Sequence, residues 1–190
     1  MSERPAGNEN IAYRIGARRK SVAMSSLCAA LLAALPTGAA TTAPTTIAIF
    51  DFEFEDFSAG ASSAGASPSD TEQLMRVTDE VRQLLARSGR YHLVDVGTAD
   101  AAAVRERTLR RCDGCDAAIA LNLGAEQSFV GVVRRITRTE YVVRFQIRDA
   151  RTGAVVSDEN SGLNMGADYS WHRGAARLIK DRLLEIREQR

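Results

Sequence analysis

Cys112 and Cys115 are the residues whose type and spacing speak most directly of chemistry. In Cys112-Asp113-Gly114-Cys115 two thiols stand three positions apart, which suits a disulfide closing a very small loop, a redox dithiol or part of a metal site. Zinc is disfavoured, because no second such pair and no nearby His completes four ligands. A redox dithiol at the start of a helix would have its thiol pKa lowered by the helix dipole. Arg110 and Arg111 would assist and Asp113 and Asp116 would oppose. The strand and the aromatic or Pro neighbours of the thioredoxin pattern are missing. A structural disulfide is therefore the preferred reading, restricting the unfolded chain by about 2 kcal/mol on the entropic account.

Two charged groups come next. Asp51, Glu53 and Glu55 recur at alternate positions, with Asp56 adjacent. On one strand face they could bind a hard cation, although a solvated strand face is the simpler expectation and the loop spacing of an EF-hand is lacking. Arg134, Arg135 and Arg138, with Arg144 and Arg148 further on, could form a surface for an anion or a protein partner. The alternative is a sheet face paired with local acids. His92 and His172 lie on different predicted elements and neither is arranged with a Ser or Cys as a nucleophile pair. Trp171 reads as an anchor for the last helix. These groups make no complete catalytic constellation, and no cofactor is expected.

The elements that position them follow from periodicity. Ile47–Glu55 begins as a continuous apolar run and turns to strict alternation, a strand buried first on both faces and then on one. Ser58–Pro68 is rich in Ser, Gly and Ala and reads as a loop. Ser69 and Glu72 are placed to form a capping box for a helix whose stripe is Leu74, Val77, Val81, Leu84 and Leu85, ended by Gly89. A strand at Tyr91–Val96, an Ala-rich helix from Asp100 to about Arg110, and a short helix at Asp116–Leu123 before Gly124 follow. Phe129–Ile136 and Tyr141–Asp149 are predicted strands. In the second, Tyr141, Val143, Phe145 and Ile147 share one face and Arg144, Gln146 and Arg148 the other. Thr152-Gly153 makes a hairpin turn into a strand from Ala154. A closing helix from about Ser170 carries Trp171, Ala175, Leu178, Ile179, Leu183 and Ile186. The order β-α-β-α-α-β-β-β-α predicts a mixed α/β fold: about five strands in a mixed parallel and antiparallel sheet, with helices packed on it. There is no internal repeat.

The amino-terminal segment has another character. Arg14, Arg18, Arg19 and Lys20 precede a mostly apolar run, Val22–Leu35, and then Pro36-Thr37-Gly38-Ala39-Ala40. Basic, apolar, then small is the order of a secretory signal, with cleavage expected near Ala40. The run of 14 residues is short of the roughly 20 needed to cross a bilayer, so no stable membrane span is expected after cleavage. A retained anchor is the rival reading. Leu27 stands where a lipoprotein signal wants a small residue before Cys28. Arg18-Arg19 shares only the pair with a twin-arginine signal, and the export route stays open. The organisation expected is a leader over 1–40, a linker over 41–46 and one domain over 47–190. Export would make the protein periplasmic or secreted.

The 190 residues carry a net charge of +1, against a general nucleic-acid binder. Beyond residue 40 they carry 20 basic and 22 acidic residues, a net of −2, and just the two cysteines at 112 and 115.

Four stretches carry a family resemblance: Ile47-Ala48-Ile49-Phe50-Asp51-Phe52; Ser88-Gly89-Arg90-Tyr91 with Val94-Asp95; Leu123-Gly124-Ala125 with Gly131-Val132-Val133; and Arg148-Asp149-Ala150-Arg151-Thr152-Gly153. They resemble the amino-terminal domain of TolB and the periplasmic domain of the curli-secretion lipoprotein. With Arg111–Cys115 and Ser170-Trp171, the pattern is closer to secreted bacterial proteins of domain-of-unknown-function family 3280, with family 2380 as the second label. The resemblance spans about Ile47 to the C-terminus. It implies a periplasmic, non-enzymatic domain and supplies no catalytic residues.

The function expected is an interaction or accessory module of the cell envelope with an envelope protein as partner. A thiol–disulfide protein using Cys112 and Cys115 is the alternative. A small-ligand binder at the carboxyl ends of the parallel strands is a third reading, without a glycine-rich phosphate loop.

Overall fold

A computed structural model describes residues 43–58, 66–98, 104, 108–164 and 170–185. The leader expected over 1–40 and most of the Ala-rich helix expected over 100–110 lie outside the described residues. Among those described are six strands, β1 (Thr45–Ile49), β2 (Glu53–Asp56), β3 (Tyr91–Val94), β4 (Gln127–Arg135), β5 (Glu140–Asp149) and β6 (Val155–Asn164), and three α-helices, α1 (Pro68–Arg87), α2 (Cys115–Asn122) and α3 (Ser170–Ile179). The sheet runs β3-β1-β4-β5-β6, with β2 also pairing to β4. β1 and β2 run parallel to β4, and β1 parallel to β3. β4-β5-β6 is an antiparallel meander. The mixed α/β sheet read from the sequence is therefore present, with six strands rather than five.

The sixth strand arises because the first predicted strand is broken. β1 pairs Ile49 with Phe129, whereas β2 pairs Glu53 with Val132, so three residues on one chain face two on the other. That extra residue is a β-bulge, and a one-residue slip reverses the facing of everything after it. Ile47 and Ile49 pack in the larger core, and so does Phe52; Ala48 and Phe50 pack in the smaller core on the other face. Glu53 and Glu55 consequently point to the side opposite Ile47 and Ile49, which an unbroken alternation would not allow. The break also frees backbone groups that need partners. Helix α1 supplies them from consecutive turns: the Phe52 amide donates to Thr78 Oγ1 at 3.0 Å, and Arg82 donates to the Ile49 carbonyl at 2.8 Å.

Gly131 of β4 lies under the bulge. A Cβ there would stand 2.3–2.5 Å from three ring atoms of Phe52. The ring is buried and cannot swing aside. Gly131→Ala is expected to destabilise by about 2 kcal/mol through overpacking, read as an earlier urea midpoint at unchanged slope.

Helix α1 starts two residues earlier than expected, and its cap differs. Ser67 is the N-cap and Pro68 takes the first helical position, where a missing N–H is harmless. The Asp70 amide donates to Ser67 Oγ at 3.1 Å and the Ser67 amide to Asp70 Oδ2 at 3.1 Å, so the capping box is Ser67/Asp70 rather than Ser69/Glu72. Glu72 instead pairs with Arg76 on the exposed face. Gly89, at φ +67°, ends the helix as expected. β3 stops at Val94 rather than at the expected Val96, which instead opens a 3-10 turn, Val96–Thr98.

The larger core lies between the sheet and α1 and α3. It contains Leu74, Val77, Val81 and Leu85 from α1, Phe129 and Val133 from β4, the alternate residues of β5, and Trp171, Ala175, Leu178 and Ile179 from α3. Ile186, predicted for the same stripe, lies outside the described residues. Arg90 donates to the carbonyls of Leu183 and Leu184 at 2.8 and 2.9 Å and so holds the last described turn of the chain. The smaller core lies under α2, where Ala117 and Ala120 let the helix approach β4 closely.

Candidate functional site

The two charged groups of the sequence meet on the face of the sheet that carries α2. The 3-10 turn Leu109–Arg111 lies over β2. Glu53 accepts from the Leu109 amide at 2.6 Å and from Arg110 Nη1 at 2.5 Å. Arg110 Nε reaches Glu55 Oε1 at 2.7 Å, while Arg134, the β4 neighbour of Glu55, reaches Oε2 at 2.8 Å. Glu55 is buried. Burial works against its charge, but Arg110 and Arg134 outweigh it, and its carboxyl lies below the ordinary 4.5.

Glu53 and Glu55 are therefore not a solvated strand face. Asp51 stands in the bulge, exposed, and pairs with Arg82 on the other side. Glu53 and Glu55 are occupied by guanidinium groups. Among the described residues no cluster of His, Cys, Asp or Glu is arranged to hold a metal ion.

The arginine group divides. Arg134, Arg144 and Arg148 line one cleft with Arg110 and Arg111. Arg135 faces the opposite side, because alternation along β4 puts consecutive residues on opposite faces. There it bridges Asp56 at 3.0 Å and Asp70 at 2.9 Å and lies over the Phe54 ring. Arg138 sits beyond the end of β4, in the connection to β5, and does not line the cleft. Sequence reading missed Arg110, Arg111, Asp113 and Asp116 as members of the site. The nearness of two Arg to the Cys pair was the available signal; what they pair with was not.

The cleft has a volume of about 290 Å3. Leu109, Val130 and Val132, themselves buried, form its apolar floor. Arg144 forks onto Asp158 of β6, with Nε to Oδ1 at 2.7 Å. Arg148 donates to Gln146 Oε1 at 3.0 Å, the Gly153 carbonyl at 2.9 Å and Asp113 at 3.3 Å. Asp116, at the start of α2, is buried and accepts from Ser128 Oγ at 2.5 Å.

Cys112 and Cys115 are joined, with Cα atoms 5.5 Å apart. Asp113, at φ +46°, and Gly114, at φ +103°, make the tight reversal between them. The bridge is half-buried against the smaller core. It fastens the turn bearing Arg110 and Arg111 to the start of α2, which bears Asp116. The cations expected to activate a thiol are held by Glu53 and Glu55 instead. Replacing both cysteines with Ser is expected to lower stability by about 2 kcal/mol, measured by denaturant unfolding.

A second cavity, about 670 Å3, opens at the carboxyl ends of β1 and β3 between Ile49, Phe50, Leu93 and Val94, with Asp51 and Arg82 at its edge. This is the position expected for a ligand crevice in such a sheet. No helix among the described residues is long and apolar enough to cross a membrane.

The fold and this cleft define a mixed α/β domain carrying an ion-pair network on one sheet face. A family profile matches residues 45–183, nearly the whole of that domain, and the chain belongs to this family, DUF3280, described as "Protein of unknown function (DUF2380)". The two family labels suggested by the sequence thus meet in one family. No curated protein matches the chain. Among solved structures it is similar to the LpoB C-terminal domain from Salmonella enterica (16% identity, TM-score 0.47, 67% of this chain and 87% of that one). It is similar also to lipoprotein GNA1162 from Neisseria meningitidis (12%, 0.45, 66% and 84%) and to TolB from Acinetobacter baumannii (15%, 0.42, 73% and 28%).

Proposed function

We propose that this chain is an exported, non-enzymatic interaction module of the cell envelope, periplasmic after cleavage near Ala40, and that the arginine-walled cleft is its docking face. The observation that carries this reading is the cleft itself: five guanidinium groups from the 3-10 turn, β4 and β5 around apolar surface, stiffened by a disulfide. A chain whose only cysteines after residue 40 are that pair suits an oxidising compartment. The carboxylates of the face are bound to arginines or to Ser128, which is the state of a rigid surface rather than of a poised acid or base.

The test places a photo-crosslinking residue at Gln146, inside the cleft, and another at the exposed Gln83 on α1. Periplasmic recovery of a form beginning near Thr41, with a specific envelope-protein crosslink from position 146 and none from 83, is the expected result. Retention in the cytoplasm, or equal crosslinking from both positions, overturns it.

A further inference from the structure

The five cleft arginines are not equally held. Arg110 is saturated by two carboxylates. Arg134 is fixed on Glu55 and lies over the Phe57 ring at 5.2 Å. Arg144 is forked onto Asp158. Arg111 is different. Its side chain is 69% exposed, and its contact is 3.5 Å to a Glu55 oxygen that Arg110 already holds at 2.7 Å. Arg148 is held by Gln146 and the Gly153 carbonyl, and its Nε lies 3.8 Å from the buried Asp116 carboxylate; its Nη2, however, meets only Asp113 among the described residues, at 3.3 Å, and Asp113 is 97% exposed. Each of these two contacts is long and has one partner open to solvent, which screens it. An incoming carboxylate can displace them with little loss and gain a planar, two-bond fit to a guanidinium.

Resting on the docking reading above, we infer that the cleft binds an acidic peptide segment of its partner: two carboxylate side chains received by Arg111 and Arg148, flanking an apolar side chain laid on Val130 and Val132. Glu55, Asp113 and Asp116 lie among the arginines and already meet guanidinium groups there, so an incoming carboxylate reproduces a pairing that the wall itself makes. The cleft volume accommodates side chains rather than a bulky ligand. A free dicarboxylate offers nothing to the valines, so a peptide is the source to which the surface is fitted.

The test follows arginine Nε–H resonances of the purified protein on titration with acetyl-Glu-Val-Glu-amide, acetyl-Gln-Val-Gln-amide and glutarate. Saturable shifts at Arg111 and Arg148 are expected with the first alone. Arg111→Gln should weaken binding about tenfold. Asp113→Asn, which removes the competing carboxylate, should strengthen it severalfold, a gain that loss of folding cannot imitate. Inorganic phosphate is run in parallel. No shift with the Glu peptide, equal binding of the Gln peptide, tighter binding of glutarate or phosphate, or no gain in Asp113→Asn each overturns the inference. A crosslink from position 146 together with no peptide binding leaves the docking reading standing and removes only the carboxylate chemistry.

Discussion

Replacing Glu55 with Gln is expected to destabilise the protein by about 3 kcal/mol at neutral pH, and to do so less as the pH falls. Removing one partner of a buried ion pair leaves the other charges uncompensated, which costs about 3–5 kcal/mol; the amide oxygen still accepts one hydrogen bond, so the lower end applies. Here the uncompensated charges are Arg110 and Arg134, both anchored on Glu55. The sign of the pH effect follows from the direction of the shift. The folded carboxyl lies below 4.5 because Arg110 and Arg134 outweigh the burial that opposes its charge. Its contribution is therefore complete above about pH 4.5 and is lost as the pH drops through the lowered folded value. Asp149 is shifted in the same direction by the Thr152 amide and hydroxyl, and so are two less exposed carboxyls. Asp56 is lowered because Ser58 and Arg135 outweigh its burial, and Asp158 because Arg144 donates to it. Urea unfolding from pH 7 downward should show wild type losing stability below about pH 4.5 while the gap to Glu55→Gln narrows. A constant gap would mean that the Glu55 charge contributes nothing.

Trp171→Ala has the larger expected effect, about 4 kcal/mol, with a fall in Tm on the order of 10 °C. The side chain is fully buried. Its ring lies 5.5 Å from that of Phe54 and 5.3 Å from that of Tyr141, joining α3 to β2 and β5. Truncation leaves a cavity between three elements, none of which can close it alone. Its Nε1 makes no hydrogen bond among the described residues, so Trp171→Phe removes no partnered donor and should retain most of the stability. Phe54 lies between Glu53 and Glu55 on β2, so the cavity should also loosen the strand that holds Arg110. Thermal unfolding of the two variants separates lost volume from lost aromatic contact.

The sequence alone determined the elements whose pattern is local. The apolar spacing of α1, the alternation of β5 and the Thr152-Gly153 turn depend on residues a few positions apart, and the structure has them where expected, save that Leu84 is only half-buried. The same holds for Gly89 and Gly124, both at positive φ, where an L side chain is disfavoured. The choice of Ser67/Asp70 over Ser69/Glu72 was also local, and Pro68 was its readable signal. The site was less legible. Alternation correctly placed Arg144 and Arg148 together, and Cys112 beside Cys115 followed from spacing. Which face Glu53 and Glu55 occupy depends on one extra residue opposite Val130 and Gly131. That bulge is stable only because Phe52 finds Gly131, and because Thr78 and Arg82 arrive from a helix 26 and 33 positions away. Those partners come from distant parts of the chain, so no window of sequence contains the decision. The Cys112–Cys115 bridge thus ties the turn bearing Arg110 and Arg111 to the start of α2, and the tertiary fold brings Glu53 and Glu55 to those arginines.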